Sequence, residues 1–413
     1  MTIKQLYPTQ RPALDLNFAR QKRLDPRVTF TRGSTATYVG SDGLIKTAAS
    51  GEARFDHDPE TGESLGLLVE ESRTNLLIHS EEFDNAAWIK LGTTVSANTT
   101  TAPNGTATAD KLVSNNATNR FCAYRYLTMT ANSVQTLSCY GKSAGWNFMT
   151  LVVGKQGSPY TRDSYTINLN DGTVNKGPWT SNSVLFTAVT KEKLANGWWK
   201  LSVSVKVDAS STDLHVEIGA SPTNQYNNGM TGDGTSGIYI WGAQLEAASF
   251  PTSYIPTTTV TVTRSADVAS MTGTNFSSWY NQGEGSLVVS ADRVDGLPSL
   301  QFTVLTTNGY RNPEFTFRSD GRASIYNPTV GSYLTSAALQ KATFGWSFDG
   351  TGASRAINGV GNSVANTGIN DTNTTLSIGN YGGSNNYRHN GHISRLAYYP
   401  TRLSDTQLQA LTL

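Results

Sequence analysis

The chain has almost no net charge, few charged side chains and only two cysteines. Across its 413 residues, 32 basic side chains are balanced by 31 acidic ones, which gives a formal net charge of +1. This balance offers no electrostatic basis for binding nucleic acid or an anionic membrane. No apolar run approaches the ~18 residues of a membrane-spanning helix, so we expect no membrane insertion. The stretch from Met1 to Leu16 has no apolar core, so we expect no secretory signal.

Sequence patterns of nucleophilic, nucleotide-binding and metal-dependent enzymes are also missing. No Gly-x-Ser-x-Gly motif is present, and the Gly-Val-Gly at residues 359–361 lacks the third glycine and the helix of a dinucleotide site. His389 and His392 lie in a Gly- and Asn-rich stretch, without the helix that aligns metal-binding histidines. The acidic residues 56–63 resemble half of a calcium loop, but their glycine comes one position too late. We therefore predict no catalytic residue, no metal site and no cofactor.

The two cysteines are too few for a disulfide framework in a chain of this length. Cys122 and Cys139 fall on two strand-like runs that are separated by a turn near residues 131–133. This placement leaves two alternatives, a cross-strand disulfide or a pair of reduced, half-buried thiols. We expect the reduced thiols.

What the sequence does contain is typical of β-rich proteins. Thr, Ser, Asn and Gly are abundant, and aromatic residues make up 10% of the chain, enough for several cores. Residues 199–207, WKLSVSVKV, alternate apolar and polar side chains. This alternation predicts a strand with Trp199, Leu201 and Val203 toward a core and with its Lys and Ser residues in water. Turn signals such as Asn-Asp-Gly at residues 170–172 recur about every ten residues, which favours two-sheet sandwiches or jelly rolls.

The first part of the chain resembles a known family of virion proteins. The strings LDPRVTF at residues 24–30 and STATYV at residues 34–39 look like the opening cassette of bacteriophage fibre and head-spike proteins. The cassette continues through GLLVE at residues 66–70 and RTNLL at residues 73–77, and it reaches Trp88. Many short matches in the same order make the resemblance specific. It implies a structural virion protein, usually a fibre or spike and often a trimer, and it brings no catalytic residues.

Two later stretches resemble sugar-binding folds. Residues 241–256, WGAQLEAASFPTSYIP, are similar to the end of carbohydrate-binding-module-like jelly rolls in phage and bacterial surface proteins. The order of strand-like runs in residues 264–413 looks like that of concanavalin-A-like and laminin-G-like sandwiches. Both likenesses imply lectin-type folds, although a fold alone does not establish sugar binding.

The predicted fold class is therefore all-β. An extended N-terminal arm precedes two antiparallel, jelly-roll, lectin-like β-sandwiches, and one short helix ends the chain. The arm has too little apolar core to fold by itself. The helix is expected near residues 403–411, where Ser404 and Gln407 match a capping box. The predicted boundaries are residues 1–79 for the arm, 80–256 for the first sandwich, 257–263 for a linker and 264–413 for the second sandwich.

Together the resemblances imply a non-enzymatic fibre or spike on the head, collar or tail of a phage. Such a protein is made in the cytoplasm of the host bacterium and displayed on the virion surface. Its arm would join a homotrimer to capsid, portal, collar or tail proteins, and its sandwiches would adhere to a host-surface glycan. Two alternatives stay open: a polysaccharide-depolymerising enzyme with lectin modules, and a soluble, prophage-derived lectin.

Two polar loops, residues 226–234 and 381–388, are the candidate glycan-binding surfaces. Sugars bind by stacking on flat aromatic rings and by hydrogen bonding to Asn, Asp and Arg side chains, and both loops offer such groups. The candidate residues are Tyr226, Asn227, Asn228, Asp233, Tyr381, Asn385, Asn386, Tyr387 and Arg388. Exposed β-turns often carry the same residue types, so an ordinary surface loop is the alternative.

Overall fold

The computed structural model describes residues 7–155, 162–177, 184–207, 213–293, 300–303, 305–306, 314–318, 320–327, 332–365, 373–380 and 388–413. These residues form 34 strands and three short α-helices, and the strands pair antiparallel, which confirms the all-β prediction. In this part of the chain, no helix has the length and apolar character that crossing a bilayer requires.

The elements fall into three groups along the chain. The first group is β1 (Leu14–Asn17), α1 (Phe18–Gln21), β2 (Thr29–Thr31), β3 (Ala36–Val39), β4 (Ile45–Ala48), β5 (Arg54–His57), β6 (Ser64–Val69) and β7 (Arg73–Asn75). The second is β8 (Ile89–Leu91), β9 (Thr93–Thr100), β10 (Ala109–Ser114), β11 (Thr118–Asn119), β12 (Phe121–Thr128), β13 (Val134–Ala144), β14 (Phe148–Lys155), β15 (Arg162–Asn168), β16 (Val174–Lys176), β17 (Val184–Lys193), a 3₁₀ turn (Ala195–Gly197), β18 (Trp199–Val207), β19 (Asp213–Ser221), β20 (Met230–Thr231) and β21 (Gly237–Glu246). The third is β22 (Val262–Arg264), β23 (Val268–Thr272), α2 (Thr274–Ser277), β24 (Gly285–Asp292), β25 (Leu300–Thr303), β26 (Leu305–Thr306), β27 (Glu314–Phe317), β28 (Arg322–Asn327), β29 (Ser332–Ala338), β30 (Lys341–Phe348), β31 (Gly352–Ile357), β32 (Val360–Ala365), β33 (Thr375–Ile378), β34 (Gly391–Tyr399) and α3 (Asp405–Leu411).

The second group forms a sandwich of two six-stranded sheets, which we call the middle sandwich. Sheet A has the order β17-β18-β13-β21-β10-β9, and sheet B has the order β16-β15-β14-β19-β12-β8. Alternate side chains of both sheets meet in one core, with Leu201 and Val203 from sheet A and Leu151 and Ile218 from sheet B. Period-two patterning of the strands thus creates the sandwich.

Strand β18 confirms the predicted alternation on its core side and corrects it on the other side. Trp199, Leu201 and Val203 are buried in the core of the middle sandwich. Lys200 and Ser202, which the sequence placed in water, are only 8% and 2% exposed. The segment that follows β21 covers this face of sheet A, and Lys200 Nζ donates to the Thr252 carbonyl at 3.2 Å. The expectation that this face is solvated is therefore wrong.

The N-terminal strands do not form an extended arm, because they complete the sandwich at the other end of the chain. β1 pairs with β34, where Leu14 lies opposite Tyr398, and β6 pairs with the same strand, where Leu67 lies opposite Ile393. The resulting sheet has the order β32-β31-β30-β24-β34-β6-β5, with β1 beside β34. Leu14 and Leu67 share a hydrophobic core with Leu287 of β24. Residues from both ends of the chain thus form one unit, which we call the outer sandwich.

Two further sheets complete the outer sandwich. One has the order β2-β23-β33-β26 and the other has the order β25-β27-β28-β29. The predicted linker, residues 257–263, runs into strand β22, which pairs with β7 so that Thr263 lies opposite Thr74. The chain therefore leaves the middle sandwich and returns at once to the N-terminal strands.

The predicted C-terminal helix and the predicted thiols are both found. Ser404 accepts a hydrogen bond from the Gln407 backbone and the Gln407 side chain accepts one from Ser404, which confirms the capping box of α3. Cys122 and Cys139 are free, so the expectation of reduced thiols is confirmed, and both are fully buried rather than half-buried.

A buried ionic network joins the N-terminal strands to the segment between the two sandwiches. Arg54 donates to Glu70 at 2.7 Å and to Asp267 at 2.5 Å. Asp267 also accepts from Arg32 at 3.0 Å, and Arg264 lies 3.2 Å from Glu70. All five side chains are buried. Three guanidinium groups thus share two carboxylates where the middle and outer sandwiches meet.

Candidate functional site

The outer face of sheet B carries a group of neighbouring rings. Alternation along β12 turns Phe121 into the core and sends Tyr124 and Tyr126 to the opposite face. Strand pairing then places His215 of β19 opposite Tyr126, and Ile89 of β8 opposite Tyr124. We call Ile89, Tyr124, Tyr126 and His215 the aromatic strip.

The rings of the aromatic strip are in direct contact. Tyr124 and His215 are stacked with ring centroids 4.8 Å apart, and Tyr126 lies 5.5 Å from Tyr124 and 5.3 Å from His215. Tyr126 is 41% exposed and Ile89 is 43% exposed, whereas His215 is buried. The strip thus presents the Tyr126 ring to solvent, and the rings of Tyr124 and His215 pack against it.

A buried carboxylate behind the strip holds His215. Glu217 is fully buried, and its carboxylate oxygens lie 2.7 Å from His215 Nε2 and 3.0 Å from Arg120 Nε. The Tyr226 hydroxyl donates to the same carboxylate at 2.5 Å. Two hydrogen bonds and one ion pair therefore converge on a single buried carboxylate, which fixes the geometry of the cluster.

The protonation states of this cluster follow from its contacts. Burial opposes the charged form of Glu217, but the hydrogen bond to His215 and the charge of Arg120 lower its pKa below the ordinary value. Burial and the neighbouring charges raise the pKa of Tyr226 well above its ordinary value, so its hydroxyl stays protonated and donates. The cluster orients rings and leaves no reactive carboxylate in solvent.

The prediction that Tyr226 contacts a glycan is wrong. Its side chain is fully buried, so its ring is not available for stacking on a sugar. The ring packs over Gly219, where an added Cβ would lie 2.3 Å from Tyr226 Cζ. The Gly- and Asn-rich surroundings indicated exposure, but the glycine on the neighbouring strand makes room for the ring. Tyr226 anchors the loop instead of contacting ligand.

The other predicted residues of this loop lie at its surface. Asn228 is exposed and accepts a hydrogen bond from Arg120 at 3.1 Å. Asn227 accepts from the Gly229 backbone at 2.7 Å, which shapes the turn. Asp233 is exposed and accepts from the Ser236 backbone at 2.6 Å, and hydrogen bonds from Ser236 and Thr235 lower the pKa of its carboxyl. Of these three surface residues, Asn228 is the one that contacts the cluster behind the strip, through Arg120.

The second predicted loop is largely outside the described residues. Tyr381, Asn385, Asn386 and Tyr387 all lie there. Arg388 is described, is 6% exposed and donates to the Asp267 carbonyl at 3.0 Å. Arg388 therefore belongs to the buried network between the sandwiches, and its prediction as a glycan contact is wrong.

The acidic and histidine residues considered for metal binding have other partners. His392 Nε2 lies 2.9 Å from Asp56, and its Nδ1 lies 3.0 Å from Asp292. Asp58 accepts from the Thr61 backbone at 2.8 Å, as in an ordinary turn. Within the described ranges, no group of three or more His, Cys, Asp or Glu residues is arranged to hold a metal ion.

Tyr124 and Tyr126 were missed in the sequence, although a signal was present. Residues 121–127, FCAYRYL, place both tyrosines two positions apart, on one face of a strand. The second half of the site, His215, comes from a distant strand, and no short pattern joins it to the tyrosines. Only the pairing of β12 with β19 brings these residues together.

Comparisons with known proteins give partial structural likenesses. No protein-family model and no curated protein matches the chain. The CBM40 of the Ruminococcus gnavus IT-sialidase is similar over 32% of this chain and 84% of that chain, at 18% identity and a TM-score of 0.27. Trypanosoma rangeli sialidase in complex with 2,3-difluorosialic acid is similar over 73% of this chain and 60% of that one, at 8% identity and a TM-score of 0.28. Domains LG4-5 of the mouse laminin alpha1 chain are similar over 71% of this chain and 92% of that one, at 11% identity and a TM-score of 0.22. Scores this low assign neither a family nor an activity.

Proposed function

We propose that this chain is a non-enzymatic adhesion protein of a phage particle that binds a host-surface glycan through the aromatic strip. The observation that carries the adhesion role is the exposed Tyr126 ring, supported by Tyr124 and His215 at 5.5 and 5.3 Å. A tyrosine ring offers a large, rigid contact area at a low cost in conformational entropy, together with a polar tip. The apolar face of a sugar ring suits such a surface.

Polar groups at both ends of the strip suit the hydroxyl groups of a sugar. Asn228 is exposed beside Arg120 at one end, and Asp213 is exposed beside Thr128 at the other. A ring platform with a few placed polar groups is the usual composition of a small-ligand site. The cluster around Glu217 holds the platform before any ligand arrives, which limits the entropy lost on binding.

Glycan-array screening followed by calorimetry with the best-bound oligosaccharide tests the adhesion role. Tyr126→Ala should weaken binding by about tenfold or more, which corresponds to ~1.4 kcal/mol. Tyr333→Ala is the matched control, because Tyr333 is a 51% exposed tyrosine on the outer sandwich. Equal loss in both variants, or no loss in Tyr126→Ala, would contradict the assignment of the strip.

The particle role rests on the resemblance of residues 24–88 to the cassette of phage fibres and head spikes. In this proposal the chain forms a homotrimer, contacts capsid, portal, collar or tail proteins, and is displayed on the virion surface after synthesis in the host cytoplasm. Labelled antibody should decorate phage particles in electron microscopy, and light scattering should give the mass of three chains. Undecorated particles and a monomeric chain would instead favour a soluble lectin. Release of new reducing ends from host polysaccharide would favour a depolymerase.

A further inference from the structure

A cleft opens where the middle sandwich, the N-terminal strands and the segment after β21 meet. We call it the junction cleft. It encloses about 290 Å³ and lies against Lys200 and Tyr140 of sheet A, Tyr38 of β3, Tyr254 of the covering segment and His392 of β34. This volume is at the lower end of the ~300–1,000 Å³ of small-molecule sites, so the cleft suits one ring-sized molecule and not a chain.

Lys200 is the buried charge of the junction cleft. It is 8% exposed, and its ammonium lies 5.7 Å from the centroid of the Tyr140 ring. The ammonium donates to the Thr252 carbonyl at 3.2 Å and also forms a side-chain hydrogen bond with the Tyr140 hydroxyl, which leaves one of its donors. An ammonium carries three donors, so Lys200 keeps donor capacity that faces the cleft. Burial alone would lower the pKa of Lys200, but Tyr140 and, after it, Glu192 and more distant carboxyl groups raise it, so the group stays charged.

Glu192 adds a hydrogen-bond acceptor to the cleft, on the same face of sheet A as the Lys200 ammonium. It lies directly opposite Lys200 in the pairing of β17 with β18, and its side chain is exposed at the cleft. The ion pairs found among the described residues do not join these two side chains. An ammonium and a carboxylate therefore flank the same opening, on neighbouring strands, without closing it.

The other charged side chains that line the junction cleft have partners of their own. Lys191 Nζ donates to the Gly172 carbonyl at 2.7 Å. Asp56 is paired with His392 at 2.9 Å, and Glu70 is paired with Arg54 at 2.7 Å. The Lys200 ammonium and the Glu192 carboxyl group, whose pKa burial raises, are then the groups left to meet a ligand. A ligand with a single charge gains little from this pair of groups, because one of them attracts it while the other repels it. The cleft thus favours a neutral molecule with both hydrogen-bond donors and acceptors, which is the chemistry of hydroxyl groups.

We propose that the junction cleft is a second binding site, for a neutral monosaccharide-sized polyol whose hydroxyl groups bond to Lys200 and Glu192. The rings of Tyr38, Tyr140 and Tyr254 line the cleft and offer apolar contact to the carbon skeleton. This site is separate from the aromatic strip, so it binds its ligand whether or not the strip binds glycan.

Saturation-transfer NMR with the full chain and the methyl glycosides of glucose, galactose, mannose and N-acetylglucosamine tests the proposal. At least one probe should bind at millimolar concentration, and glucuronate and glucosamine should bind more weakly than their neutral counterparts. Lys200→Met and Glu192→Ala should each weaken binding by about tenfold, or ~1.4 kcal/mol. Glu192 is exposed, so its removal should leave folding intact even where Lys200→Met does not.

Two control variants test whether binding is confined to the junction cleft. Lys206→Met removes an exposed lysine from the same face of β18 outside the junction cleft, and it should bind the probe as the wild type does. All of these variants are also compared in a Tyr126→Ala background, which removes the contribution of the aromatic strip to the signal. Binding by none of the four glycosides, or binding that survives both Lys200→Met and Glu192→Ala, would overturn the proposal. Loss of all binding in the Tyr126→Ala background would overturn it too, while supporting the strip.

Discussion

Arg54 and Asp267, separated by 213 positions in the chain, form a fully buried ion pair with 2.5 Å between Nη2 and Oδ2. Asp267 also holds Arg32, so one carboxylate compensates two buried guanidinium groups. Removing one charge from a buried ion pair leaves its partner uncompensated in a medium of low polarity. This loss strongly destabilises the folded state. The junction between the sandwiches therefore depends on Asp267.

The first prediction concerns this carboxylate. Asp267→Ala should lower the free energy of unfolding of the outer sandwich by about 3–5 kcal/mol, because buried Arg32 loses its carboxylate partner and buried Arg54 keeps only Glu70. Urea denaturation followed by tryptophan fluorescence measures the change. Asp15→Ala is the matched control, since it breaks the pair of Asp15 with Arg395 in which both side chains are about 40% exposed. The control should change stability by less than about 1 kcal/mol, and similar losses in both variants would contradict the buried network.

The second prediction is that the free energy of unfolding falls as the pH rises, through the titration of His392. The positions of Asp292 and Asp56 beside His392 outweigh burial and raise its pKa from 6.5 to about 10. The unfolded chain releases this proton near pH 6.5 and the folded chain retains it until about pH 10, so the stabilisation is complete below pH 6.5 and declines across this interval. Urea midpoints should fall from pH 6.5 toward pH 10.

His392→Gln provides the comparison for the pH experiment. Burial lowers the pKa of His389 to about 4, so its own effect is confined to more acidic conditions and is complete by pH 6.5. The buried thiols add a loss of stability in alkaline solution in both proteins, because the unfolded chain ionises them first. The His392→Gln profile should be flatter than that of the wild type between neutral pH and pH 9. Parallel profiles would show that His392 is not clamped by the two carboxylates.

The third prediction concerns Tyr226. Its hydroxyl donates to the buried Glu217 at 2.5 Å, so Tyr226→Phe removes a hydrogen bond to a charged group. We expect a loss of about 1.5–3 kcal/mol in the free energy of unfolding of the middle sandwich. Tyr333→Phe, which alters a 51% exposed tyrosine, should have almost no effect. An unchanged unfolding midpoint in Tyr226→Phe would mean that the loop is not anchored at Glu217.

The fourth prediction concerns the thiols. Burial raises the pKa of Cys139 to about 12 and also raises that of Cys122, so neither forms a thiolate at neutral pH. Native protein should therefore not react with a colorimetric disulfide reagent, whereas protein in guanidinium chloride should release two equivalents of the chromophore. Rapid reaction of the native chain would contradict the packing of both residues.

Local sequence patterns correctly predicted the features that depend only on residues close together in the chain. The alternation in residues 199–207 identified Trp199, Leu201 and Val203 as core residues, and the spacing of Ser404 and Gln407 identified the helix cap. Both features depend on side chains within a few positions of one another. Each pattern therefore predicts its local structure without information about distant parts of the chain.

Distant contacts account for the errors. Lys200 looked solvated because the segment that covers it, around Thr252, follows it by about fifty positions. Tyr226 looked exposed because the space for its ring is made by Gly219 on another strand. Pairing across several hundred residues likewise turns the expected arm into part of a sheet, as Leu14 opposite Tyr398 shows. A single sequence does not encode such partners in any short window.

The pairing of β1 with β34 also determines the order in which parts of the chain can fold during synthesis on the ribosome. Strand β34 is translated long after the strands at residues 14–17 and 64–69, so these two strands leave the exit tunnel well before the strand with which both pair. The described strands of the middle sandwich lie between Ile89 and Glu246 and can all meet much sooner. The centre of the polypeptide therefore matures before its beginning, and the nascent N-terminal strands need protection from wrong partners during that delay.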